Sequence, residues 1–146
     1  TEDENNMRSA NVIMGQTVKI CARYEIQDGI SINGLITAFA INSLQNVKIT
    51  DLSNKTTGDD FSDTIRSNGV ITCSIKKLPL NIGIYTFNVM TRENNGDILD
   101  YIIEAGRFDV TEGDYFGTGK IPASDRLFMM EHNWTILSDT INLNRV

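Results

Sequence analysis

Few side chains in this sequence have the types and spacing that chemistry needs. Gly113 to Lys120 has the look of a phosphate-cradling loop, but a P-loop requires Gly, four residues, then Gly-Lys-Ser/Thr. Counting back from Gly119-Lys120 places Asp114 where the first glycine belongs, and Ile121 replaces the hydroxyl residue. Asp59, Asp60 and Asp63 form a carboxylate cluster of the kind that takes hard cations, without EF-hand spacing; a solvated acidic loop explains it. His132 is the single histidine. Beside Glu131 or Asp139 it could join an acid–base pair, yet Gly-x-Ser-x-Gly is missing and no other nucleophile motif accompanies it. Whether two carboxylates form a glycosidase pair is not decided by spacing along a chain. Asn54-Lys55-Thr56 and Asn133-Trp134-Thr135 match the glycosylation sequon, as an Asn-rich chain does by chance. No catalytic residue, metal ligand or cofactor is assigned.

What remains is polar and aromatic decoration. Lys19, Arg23, Thr86, Asn88, Met90, Arg92, Arg107 and Asp109 fall at outward positions of alternating strands. Arg, Asn and Asp bond paired sugar hydroxyls, and Arg also a carboxylate or phosphate, in fork geometry. Tyr101, Tyr115, Phe116 and Trp134 offer faces for a sugar ring to stack on. The plain alternative is that strand exteriors are polar anyway and that Trp134 is core.

The elements that would hold these residues repeat with period two. Val18, Ile20, Ala22, Tyr24 and Ile26 share one face of a strand, and Lys19, Cys21, Arg23 and Glu25 the other. Turns at Asp28-Gly29 and Asn33-Gly34 lead to a second strand, Leu35 to Ile41, with Leu35, Thr37, Phe39 and Ile41 on one side. Val47 to Leu52 is a third, and the polar stretch from Asp51 to Asn68 reads as a loop. A fourth strand turns Ile71, Cys73 and Ile75 inward and ends at Pro79. In the fifth, Ile84 to Arg92, Tyr85, Phe87 and Val89 alternate with Thr86, Asn88 and Met90. Asn94-Asn95-Gly96-Asp97 predicts a hairpin into a sixth, Leu99 to Val110, broken near Ala105-Gly106. Glu112 to Asp125 is an irregular crossing, followed by an apolar region from Leu127 to Val146. Short, evenly spaced strands predict an all-β, immunoglobulin-like antiparallel sandwich, with a jelly-roll-like arrangement as the variant. Gly83-Ile84-Tyr85 resembles the tyrosine corner of such sandwiches. Phe87 stands where immunoglobulins place their second cysteine, so Cys21, facing out, and Cys73, facing in, are expected to be free thiols of a reducing compartment.

At 146 residues, 40% hydrophobic and 22% charged, the chain fits one folded domain. A net charge of −6 argues against a nucleic-acid groove, which needs a dense basic stripe. The longest apolar stretch, Gly34 to Leu44, is interrupted by Asn42 and too short to span a bilayer. The acidic start, Thr1 to Asn6, is unlike a signal peptide and lacks an initiator Met, so a domain excised from a longer chain is expected.

Leu78-Pro79-Leu80-x-x-Gly83-x-Tyr85, the alternating strand and hairpin, then Asp100, Ala105, Phe108-x-Val110 and the glycine-rich segment with Asp114 follow a known order. With Gly15-x-x-Val18-x-Ile20-x-x-x-Tyr24 and Trp134, it resembles the C-terminal domain of Wzt, the nucleotide-binding subunit of bacterial ABC transporters that export O-antigen polysaccharide. The resemblance covers most of the chain. It implies a cytoplasmic β-sandwich at the inner face of the inner membrane that binds the finished, terminally modified polysaccharide and couples completion to export. Its partners would be the O-polysaccharide, at its non-reducing terminus or cap, the ATPase domain of the parent chain and the membrane channel. It implies a single domain over residues 1–146, with 1–10 as a flexible linker. It also implies a homodimer that exchanges the strand 136–146, where Ile141 and Leu143 alternate with Asn142 and Asn144. No ligand motif carries over residue by residue. The expected glycan contacts are therefore chosen from the outward face of strands five and six: Asn88, Met90, Arg92, Tyr101, Arg107 and Asp109. The other reading is an immunoglobulin-like module for protein interaction or adhesion.

Overall fold

The structure is a computed structural model that describes residues 8–137, apart from 60, 62 and 95. Its first strand, β1 (Arg8–Ile13), begins inside the stretch expected to be linker. Next come β2 (Val18–Tyr24), the short β3 (Ile32–Asn33), β4 (Ile36–Ser43) and β5 (Lys48–Ser53). One helical turn, α1 (Asn54–Thr57), interrupts the expected loop; the Ser53 hydroxyl caps it, accepting from the Lys55 N–H. Then follow β6 (Thr64–Ile65), β7 (Gly69–Ile75), β8 (Gly83–Arg92) and β9 (Ile98–Thr111).

A five-stranded sheet in the order β1-β9-β8-β4-β5 faces the two-stranded β2-β7, and β3 pairs with β6 alone. Ile20 of β2 packs in one buried cluster with Phe39 and Ile41 of β4, Tyr85 and Val89 of β8, and Phe108 and Val110 of β9, and Cys73 and Ile75 of β7 pack against it. This is the expected all-β sandwich. One pairing differs from the antiparallel expectation: β1 runs parallel to β9, from Arg8 opposite Gly106 to Ile13 opposite Thr111. Hairpin signals report only antiparallel neighbours, and a parallel edge strand leaves no such mark. Cys21 and Cys73 are free thiols. Cys21 pairs with Thr72 and Cys73 with Ile20, which puts the two thiols on opposite faces of the small sheet.

The crossing from the small sheet to β8 is the expected tyrosine corner. The Tyr85 hydroxyl donates to the Asn81 carbonyl at 2.8 Å. Asn81 has no exposed surface. Its Nδ2 donates to the carbonyls of Ala123 (2.9 Å) and Arg126 (2.8 Å), and its Oδ1 accepts from the Ile82 N–H at 2.8 Å. Its own N–H donates to the Leu127 carbonyl at 2.9 Å. One buried amide thus ties the irregular segment after β9 to the corner. Met129 is buried there, whereas Trp134 is 86% exposed, so the reading of Trp134 as core does not hold. Ile136 and Leu137 are exposed and outside any strand; residues 138–146 of the expected exchange strand lie outside the described residues.

Candidate functional site

The outward side of the five-stranded sheet is a grid of cross-strand partners. From β5 to β9, one row reads Ser53, Ala38, Met90 and Tyr101. The next reads Asp51, Ala40 and Asn88, and the third Lys48, Asn42, Thr86 and Arg107. Beyond these, Ile84 faces Asp109, with Asn11 of β1 alongside. Five of the six residues expected to contact glycan therefore lie on this side, and Arg92 follows Met90 in the β8 alternation, opposite the buried Ile36. Side-chain alternation puts them there, and the register of β8 with its neighbours aligns them.

Two of them differ from a simple outward array. Opposite Asn88, β9 bulges: Phe87 pairs with Gly106 but Val89 with Ile102. Glu104, with φ of 52°, sits in the bulge and its N–H donates to the Asn88 Oδ1 at 2.9 Å. The Asn88 Oδ1 is thus occupied by the Glu104 backbone N–H, leaving its NH₂ to donate. Arg92 lies six residues along β8 from the Thr86–Arg107 pair. That is roughly 20 Å at the usual strand rise, so the two arginines mark opposite ends of the face and do not grip one anion together.

The middle of the face is what the sequence reading passed over. Ala38 and Ala40 present only methyl groups, between Met90 and Asn88 of β8 on one side and the small Ser53 and Asp51 of β5 on the other. By side-chain size alone this strip is the lowest part of the face, a shallow trough along β4. The alternation in Thr37-Ala38-Phe39-Ala40-Ile41 was the available signal: large residues on the core side, small on the other. Along β5, Lys48 Nζ meets Asp51 Oδ2 at 2.8 Å. That hydrogen bond and charge raise the Lys48 pKa, with a smaller contribution from Tyr101. Thr86 is 5% exposed, and its Oγ1 has no hydrogen-bond partner among the described residues. The chemistry available is forked hydrogen bonding plus one aromatic face at Tyr101.

The other candidates lie elsewhere. Lys19 and Arg23 are on the exterior of the small sheet. Tyr115 is 8% exposed, packs under Gly15 and carries Lys77 Nζ 4.0 Å from its ring centre. Phe116, His132 and Trp134 form an edge-to-face ladder with centroids 5.6 and 5.8 Å apart. His132 Nδ1 lies 2.7 Å from the Met130 carbonyl, while Glu131 is paired with Lys77 at 2.9 Å. Asp139 and Asp60 are outside the described residues. Asp59 accepts from the Thr57 hydroxyl at 2.6 Å. Among the described residues no group of three or more metal-ligating side chains comes together, and no helix is long and apolar enough to cross a membrane.

The family model described as the Wzt C-terminal domain matches residues 2–121. A solved structure described as the crystal structure of the C-terminal domain of Wzt superposes with a TM-score of 0.63. It is 12% identical, and the match covers 87% of this chain and 74% of that one. At that identity the likeness is one of fold. No curated protein matches the sequence.

Proposed function

The chain belongs to the Wzt C-terminal domain family, and from that premise we propose that it is a non-catalytic reader of bacterial O-polysaccharide. It binds the non-reducing terminus or its cap and couples chain completion to export through an ABC transporter. In this reading the domain works in the cytoplasm at the inner membrane, beside the ATPase domain of its parent chain and the membrane channel. The observation that carries the proposal is the alanine-floored trough, with Met90, Asn88, Thr86, Tyr101 and Arg107 around it. Small side chains in mid-sheet admit a pyranose to the backbone plane, and the surrounding amide, guanidinium and phenol match its hydroxyls and apolar face. Arg92 and Arg107 suit an anionic group at either end. Exposed polar contacts return about 0.5–1.5 kcal/mol each, so affinity is modest, and discrimination comes from groups left unpaired by the wrong terminus.

The same reading includes a homodimer built by exchange of the segment 136–146. Among the described residues, β9 from Ile98 to Ile103 has a partner only on the β8 side, because β1 begins opposite Gly106. Ile98, Leu99, Tyr101, Ile102 and Ile103 are exposed there. An apolar free edge is where an added strand gains both ladder bonds and burial.

The test is a titration with O-polysaccharide in capped and uncapped forms. Binding of the capped form alone is expected, with Arg107→Ala weakening it. Ala40→Leu, which fills the trough, is expected to abolish it while the thermal transition is kept. Equal binding of both forms would make the domain a reader of the repeat unit. No binding of either would move the function to the protein-interaction reading.

A further inference from the structure

On the outer face, one cross-strand row has its hydrogen-bonding directions already fixed. Asp51 of β5, Ala40 of β4 and Asn88 of β8 lie side by side in it. Asn88 Oδ1 is taken by the Glu104 N–H at 2.9 Å, so toward a ligand this amide only donates. Asp51 is a carboxylate, which only accepts. Its Oδ2 holds Lys48 Nζ at 2.8 Å, and its Oδ1 is left for a ligand. The Asp51 side chain is half exposed and Asn88 half-buried, so both can be reached. Thr37 Oγ1 and Thr86 Oγ1 have no hydrogen-bond partner among the described residues, but both atoms are closed to solvent and cannot meet a ligand.

The row also sets a length. Neighbouring strands lie about 4.7–4.9 Å apart, so the backbones at Asp51 and Asn88 are about 9.5 Å apart. Only the Ala40 methyl stands between them. A single hydroxyl bonding both flanks at about 2.8 Å spans under about 6 Å, and so reaches only one of them. A secondary amide is longer and its N–H and C=O point in opposite directions. In a sheet, strands bond to both neighbours through such groups across the same pair of spacings. An amide above Ala40 repeats that arrangement between side chains. A vicinal pair of hydroxyls also spans the gap, but leaves its remaining hydrogen-bonding capacity over the apolar strip of Ala38, Ala40 and Met90, where an alkyl group fits.

We propose that this row is a subsite for the acetamido group of an N-acetylated hexosamine. The acetamido N–H donates to Asp51 Oδ1, its carbonyl accepts from Asn88 Nδ2, and its methyl rests on Ala38 beside Met90. Lys48 already neutralises Asp51, which favours the uncharged amide over the free ammonium of a deacetylated sugar. The proposal rests on the carbohydrate-binding reading of this face and adds the chemical group that the face selects.

The experiment is an amide-shift titration of the whole chain by NMR with N-acetyl-D-glucosamine and N-acetyl-D-galactosamine. The controls are D-glucose and D-galactose, with a hydroxyl in place of the acetamido group, and D-glucosamine, with a free ammonium. An N-acetyl sugar is expected to move the Ala38 and Ala40 amides and the Asn88 side-chain NH₂, with every control at least several-fold weaker. Asn88→Asp keeps the oxygen that accepts from Glu104 and turns the donor into an acceptor. It is expected to keep the thermal transition and to weaken N-acetyl sugar binding by about 5–10-fold, the loss of one ordinary hydrogen bond. Asp51→Ala is expected to do the same from the other end. Equal response to glucose, silence of this row toward both N-acetyl sugars, or unchanged affinity in Asn88→Asp would each overturn the assignment. Polysaccharide that binds the outer face while N-acetyl sugars leave this row silent removes the subsite and keeps the carbohydrate reading. N-acetyl sugar shifts in this row without any polysaccharide binding keep the subsite and remove the terminus-reading function.

Discussion

The Tyr85 hydroxyl joins the two sheets' crossing to the backbone four residues upstream. Its spacing from Gly83 made it legible in the sequence, because the corner is a local motif whose donor and acceptor lie close along the chain. Tyr85→Phe should lower unfolding free energy by about 1–3 kcal/mol, the range for leaving a buried carbonyl without its donor; urea unfolding measures it. Burial also raises the phenol's pKa above its ordinary value. Folded protein then keeps a proton that the unfolded chain releases near pH 10, so this contribution is complete below about pH 10 and is lost as pH climbs through the folded pKa. Unfolding curves from pH 8 to 11 should show that loss in the parent chain and not in Tyr85→Phe. The orphan hydroxyls of Thr37 and Thr86 were not legible, since whether a threonine has a partner depends on contacts across sheets. Asn88 was legible as outward-facing, but its bond to Glu104 depends on a bulge that the sequence marked only as a break near Ala105-Gly106.

Among the elements, β2, β4 and β7 were readable from alternation, because each has one face on the core and the period of two survives along most of its length; β8 was readable from its alternating residue types, although Thr86 on the outer side is as buried as Tyr85. The first strand was not. Arg8-Ser9-Ala10-Asn11-Val12-Ile13 has no clean alternation, and its partner in β9 is nearly a hundred residues away. The segment after β9 was read correctly as irregular, but nothing in its residues revealed that the Asn81 amide ties it to the corner, alongside the Leu80–Phe128 bridge. Asn81 holds that segment through two carbonyls while its own carbonyl receives the Tyr85 hydroxyl. Asn81→Ala removes the side-chain donor from the Arg126 carbonyl and from the Ala123 carbonyl, which keeps the Arg126 N–H, and a loss of roughly 1–3 kcal/mol is expected. Hydrogen exchange should locate the loosening in residues 123–129, with the β2–β7 ladder unchanged. Uniform loss of protection over the whole chain would show instead that the amide supports the core itself.

At the scale of the molecule, the two faces of the five-stranded sheet divide the work: one is core, the other an open trough with an exposed apolar edge beside it. If the segment 136–146 covers that edge in a second copy, a chain ending at residue 135 should sediment as a monomer where the parent sediments as a dimer. Equal mass for both would place any dimer contact elsewhere. The sequence carried the fold class and the face, because both follow from alternation. It did not carry the depth of the trough, which depends on which neighbours stand beside Ala38 and Ala40. The exposed indole has a practical consequence. Trp134 is the only tryptophan in the chain and is 86% open to water, so its fluorescence already resembles that of a solvated indole in the native protein. Emission will therefore scarcely register global unfolding. A blue shift on adding polymer or on raising protein concentration will report that something has settled over the segment that carries Trp134, which makes this residue a built-in probe of contact at that segment.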